Sequence, residues 1–205
     1  MAVPQLPASH APVEAAPPAP LARPRVVVVG TAFAAAGVLT FFATAIAVYL
    51  RLRGVTLAQN QAWLPEEAVL PLQQPNVIIL ALLMSSVTVQ WAVDAIRRDD
   101  RPQAYLALGF TELFGIATLN MAGYLYSVMK LDAATGVMAV MTYTITGAHL
   151  VILVAAMIFV GLMAFRALGG QFTSRQYDGM SAAALFWHTQ VVVFAVIWFA
   201  IYITK

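Results

Sequence analysis

Hydrophobic positions along this chain neither alternate with polar ones nor keep to a single helical face; they gather in long unbroken runs. The first extends from Val26 to Leu50, and four more run from Asn76 to Ile96, Ala104 to Met129, Val137 to Leu168 and Ala182 to Ile203. Crossing a hydrocarbon core of roughly 30 Å takes about 20 apolar residues in a helix, and every run reaches that length. Strands of a membrane barrel would alternate, so the pattern predicts an all-α integral membrane protein, a bundle of five transmembrane helices. Inside the runs the formal charges are Asp94, Glu112 and Arg166, the last near one end. Such sparseness suits a segment whose backbone is satisfied internally while its side chains meet lipid.

Outside the runs, residues 1–24 are rich in Pro and Ala and show no helical or strand period, which reads as a disordered cytoplasmic tail ahead of a transmembrane domain over 25–205. A signal peptide would carry an apolar core of only about 7–15 residues, so the run from Val26 to Leu50 reads as a true span. An odd number of spans puts the termini on opposite sides. Arg23, Arg25, Arg97, Arg98, Arg101, Arg166 and Arg175 fall on the N-terminal side, against Arg51, Arg53, Lys130 and Lys205 on the other, and the excess of positive charge assigns the N-terminus to the cytoplasm. The one sizeable external loop, Arg51 to Gln74, carries Trp63, Leu64, Pro65, Glu66 and Glu67, a mix that suits a partner-contacting segment or, the plainer reading, an interfacial one anchored by Trp63.

Composition agrees with a lipid solvent: 61% of the 205 residues are hydrophobic and 10% charged, where a soluble domain carries about 25% charged residues, and the mean hydropathy is +0.82. The eleven Lys and Arg residues are scattered among loops, not gathered into the stripe a nucleic-acid partner would need. Cysteine is absent, which removes disulfides, thiolate metal sites and thiol catalysis.

Ionisable groups within a membrane are costly and are candidates for function. Glu112, well inside the third run, could contact a proton path or a lipid headgroup, or form a neutral hydrogen bond to a neighbouring helix. Asp94 stands one turn from Arg97 and Arg98, a spacing that forms a structural ion pair, and Gln90 on the same face would extend it. His149 and His188, on different helices, have the makings of a bis-histidine haem site; hydrogen bonds between helices are the plainer reading. No H-x-x-x-H or E-x-x-H pair occurs, and no nucleophile motif. His10 lies in the tail. Small residues recur in the first run (Ala34, Ala35, Ala36, Gly37) and the fourth (Ala155, Ala156, Gly161), as helices that approach closely require.

These residues together resemble subunit III of the haem–copper cytochrome c oxidases in its short five-helix form. Ser85-Ser86-Val87-Thr88-Val89-Gln90 is similar to that family's S-S-x-T-x-Q stretch, Thr146-Gly147-Ala148-His149 to T-G-F-H, and Phe186-Trp187-His188 followed by Tyr202 to its closing Y-W-H and later tyrosine, while Phe41-Phe42 with Tyr49 fits the first common helix. The departures are Val38, Gly123 and Val191, where the family usually carries acids, and Ile152 in place of a second histidine. Glu112 matches no family glutamate and would partly replace the carboxylate missing at Val38.

The resemblance implies a noncatalytic subunit of a respiratory oxidase that holds phospholipid, steadies the catalytic subunit I beside other membrane subunits and supports proton uptake, in a bacterial plasma membrane. It implies no catalytic, cofactor or metal residue in this chain, with haem and copper in the partner. Lipid- or proton-related roles would fall to Glu112, His149, Trp187 and His188, and polar contacts between helices to Ser85, Ser86, Gln90 and Asp94. The rival readings are a cytochrome b-type protein using His149 and His188, a small transporter, for which no inverted repeat appears, and a subunit of a quinol oxidase or nitric oxide reductase.

Overall fold

A computed structural model of the chain describes residues 25–65, 68–132, 134 and 136–204. The tail over residues 1–24, with His10, lies outside the described residues, as do Glu66 and Glu67 of the external loop. Helix α1 is Val26–Ala58, α2 Gln73–Arg97, α3 Arg101–Val128, α4 Val137–Leu168 and α5 Asp178–Ile197, which continues into a π-helical segment, Trp198–Ile203. Among the described residues these five are long and apolar enough to cross a membrane. The extended pairing is limited there to one isolated bridge, Thr173 with Gln176.

The apolar runs mark where lipid begins, but local chemistry sets where each helix starts and stops. The first helix ends at Ala58, beyond the expected Leu50, because a helix can continue through Arg51 and Arg53 into the aqueous boundary. Helix α2 begins at Gln73, earlier than Asn76, since Pro75 is tolerated within a first turn. Helix α3 begins at Arg101 because the Asp100 carboxylate accepts the Gln103 backbone N–H at 3.2 Å. Three helices end in the same motif, with a left-handed residue just past the cap: Asn60 (φ 56°), Asp99 (φ 56°) and Gly170 (φ 73°). In each, the next N–H turns back to a carbonyl of the last turn, as Gln61 does to Thr56, Asp100 to Ala95 and Gln171 to Arg166.

Helices consecutive in the chain run antiparallel, which leaves α1 and α5 parallel; α5 is the hub, packing against α4, α1 and α2, while α2 and α3 form the most extensive pair. α1 leans on α5 and, less, on α4, and has no substantial contact with α2. One end of the bundle therefore collects the starts of α1, α3 and α5 with the ends of α2 and α4. Arg25 pairs there with Asp178 at 3.6 Å, Arg97 lies over the Tyr177 ring, and Arg166 lies over Phe172. The Asp99 carboxylate accepts the Ser174 N–H at 2.8 Å, tying the α2–α3 turn to the α4–α5 connection.

Candidate functional site

The centre of the bundle is a polar seam, built where small and hydroxylated residues let α2, α3 and α5 approach. Trp187, fully buried on α5, donates its indole N–H to Ser85 of α2 at 2.8 Å, and the Ser85 hydroxyl donates to the Leu82 carbonyl at 2.7 Å. The Thr88 and Thr111 hydroxyls meet across α2 and α3 at 2.8 Å. Gly115 of α3 makes room for the indole: a Cβ there would come within 3.0 Å of both Trp187 and Met157.

Beside this seam, one stripe of α5 faces outward: Ser181, Leu185, His188, Val192 and Val196 follow each other at intervals of three and four, and so lie on one helical face. Because α1 and α2 both flank α5 without closing on each other, the stripe floors a furrow. Its deeper part is an apolar groove of about 200 Å³ between Val192 and Val196 and, on α1, Leu39, Phe42 and Ile46. Toward the arginine-rich end polar side chains join walls that keep the apolar Val87 and Trp91. A groove of about 520 Å³ is lined by Ser86, Gln90, Asp94, Arg98 and His188, and an adjoining one of about 300 Å³ by Gln90, Arg97, Tyr177, Ser181 and His188.

The polar residues singled out in the sequence divide between seam and furrow. Ser86 and His188 are hydrogen-bonded, Oγ to Nδ1, at 2.6 Å. Asp94 pairs with Arg97 at 3.7 Å, the i,i+3 ion pair expected, and Gln90 donates to the same carboxylate at 3.4 Å. His149 is elsewhere, fully buried, its Nε2 on the Gln190 backbone carbonyl at 3.1 Å and its ring against Phe42 and Phe194. The two histidines are thus spent on separate protein partners, and a bis-histidine haem does not fit that arrangement. Among the described residues no group of three or more His, Asp or Glu is placed to hold a metal ion.

Glu112 turns toward α4, where its carboxylate lies beside Gly161 with one oxygen buried and no partner. It stands about as far along α3 as Val38 does along α1, but α3 packs chiefly on α2 and then α4 while α1 packs chiefly on α5 and only lightly on α4, so the two positions share depth and differ in the main neighbour of their helices. Trp63 is not an outward anchor. It is buried against Tyr49, edge to face at 5.3 Å, and donates its N–H to the Tyr49 hydroxyl at 3.1 Å. The sequence missed this because an indole in a loop carries no sign of which phenol it will find.

The match that decides the family covers this whole domain: the model of "Cytochrome c oxidase subunit III" fits residues 26–205. The chain belongs to the cytochrome c oxidase subunit III family. A probable cytochrome c oxidase subunit 3 of Rickettsia conorii is 30% identical over 168 residues, covering 80% of this chain and 59% of the relative. The cytochrome c oxidase subunit 3 proteins of Salmo salar and Gadus morhua are each 31% identical over 132 residues, 64% of this chain and 51% of theirs. The chain thus spans little more than half the length of these relatives. Family membership and five apolar helices make it a multi-pass integral membrane protein. They also favour the oxidase reading over a cytochrome b-type protein.

Two features of the site were not foreseen. Arg97 and Tyr177 join the furrow through a fold contact between distant segments, and Gln190 lies fully buried in the α5 run. A lone amide among Val191, Val192, Val193 and Phe194 was a readable signal for the second; the first had none.

Proposed function

We propose that this chain is a noncatalytic, subunit III-like component of a respiratory haem–copper oxidase, packed beside the catalytic subunit I and stabilising it. The observation that carries this reading is the family match across residues 26–205, the entire span-bearing domain. Large outward apolar side chains on every helix, such as Phe33, Val87, Ile116, Val151 and Phe199, supply surface for lipid and for neighbouring subunits alike. Haem and copper would remain with the partner. The N-terminus would face the cytoplasm of a bacterial plasma membrane, which puts the arginine-rich end of the bundle on the positive-inside side.

Phospholipid is the occupant we assign to the furrow. Its walls are graded as a phospholipid is: Arg97 and Arg98 stand where a headgroup phosphate would sit, and the Leu39, Phe42, Val192 and Val196 groove continues toward the membrane centre as an acyl chain would. Support of proton uptake would rest on Ser86, His188 and Glu112 more weakly than in relatives with acids at positions 38, 123 and 191. The test is the oxidase purified from cells that carry or lack this chain. The reading expects an assembly that keeps its haem spectrum and reduces oxygen but dissociates at a lower temperature when the chain is missing; loss of haem itself would contradict a noncatalytic role.

A further inference from the structure

Gln190 is fully buried in the middle of α5, and neither its amide nitrogen nor its amide oxygen has a hydrogen-bond partner within the protein. Thr118, 1% exposed on α3, has a hydroxyl in the same condition. A buried amide left bare loses its hydration with nothing in return, and native interiors leave few such groups unexplained. Counting along the two helices puts them at a similar height in the bundle. Gly115 and Trp187 touch, α3 and α5 run in the same direction, and Thr118 and Gln190 are each three residues further along, a rise of about 4.5 Å on both helices.

The chemistry of the pair selects its occupant. An amide nitrogen offers only donors, an amide oxygen only acceptors, and a hydroxyl offers both. A cation would leave the nitrogen bare and an anion the oxygen. The tight contact of Met157 and Trp187 around Gly115 caps the layer on one side against anything bulky. We propose that the centre of the bundle holds bound water at Gln190 and Thr118, an internal hydration site between α3 and α5 next to the turn whose carbonyl receives His149. Water is small, donates and accepts, and commonly satisfies such buried groups with about three hydrogen bonds. This hydration site makes no use of the furrow and does not depend on the oxidase reading.

The test is a density map of the full chain in its native membrane assembly, at a resolution that shows ordered water, together with the substitutions Gln190→Met and Thr118→Val. The site predicts a peak within about 2.7–3.2 Å of the Gln190 amide and the Thr118 hydroxyl, lost in Gln190→Met. It also predicts that the double substitution lowers the melting midpoint no more than the larger single one, because both remove the same bound water. A dry layer, a direct Gln190–Thr118 hydrogen bond, or strictly additive effects of the two substitutions would overturn it.

Discussion

Helices α1 and α5 are similarly apolar and both long enough to cross a membrane, yet more than half of the apolar stretch of α5 is buried within the chain and less than a fifth of that of α1. Both cross the membrane for the same reason, and they do different work inside it. α5 places Trp187, Gln190, Thr189 and the buried valines against three other helices, whereas α1 turns Phe42, Ile46 and Tyr49 inward and shows Val29, Phe33, Leu39 and Phe41 to whatever lies outside. Hydropathy reports transfer into lipid. The contrast between a hub and a flank is set by small residues and by polar groups that find partners, because apolar contact alone does not distinguish a helix from lipid.

The sharpest way to break this contrast is to remove the hub's largest buried side chain. Trp187→Ala deletes an indole with no solvent exposure and strips Ser85 of its donor, at a cost of about 3–5 kcal/mol. A melt of the purified chain in detergent should show a large drop or no folded protein; Phe33→Ala on α1, at 75% exposure, should leave the same melt unchanged. Gly115→Val ranks next. Its Cβ would press on Trp187 and Met157 at 3.0 Å, and overpacking of this kind costs about 1–3 kcal/mol, again visible as a lowered midpoint. Trp63→Phe removes one hydrogen bond to Tyr49 while keeping a ring, so a loss of about 1 kcal/mol is expected, testable by whether Tyr49→Phe adds anything further.

The smallest effect lies in the solvent-exposed turns. Hydrogen bonds from the Ser174 side chain and backbone hold the Asp99 carboxyl below its ordinary value. A depressed carboxylate contributes stability that is complete above its unfolded value, about pH 4, and is lost as pH falls through the folded one. The midpoint of the intact chain should thus fall more steeply below about pH 4 than that of Asp99→Asn, and parallel curves would remove the tie between the two turns.

The five spans were legible because twenty or so apolar residues in a row have few other uses. Their exact ends were not, since Asn60, Asp99 and Gly170 stop helices through backbone geometry that hydropathy does not register. The π-helical close of α5 at Trp198–Ile203 left no mark in the sequence either. For the site, Asp94 with Arg97 was readable from spacing within one helix, whereas Ser86 with His188 and Ser85 with Trp187 each join residues 102 positions apart and depend on the packing of α2 against α5. Trp63 was misplaced for the same reason: its partner Tyr49 lies on another element.

The most direct test of the central claim is to tag this chain, extract it from its native membrane in mild detergent, and record the visible spectrum and the subunits that come with it. The account predicts a larger haem-bearing subunit in the same particle, and a colourless chain once the two are separated. A chain that stays pigmented by itself, or one recovered without any redox partner, would contradict it.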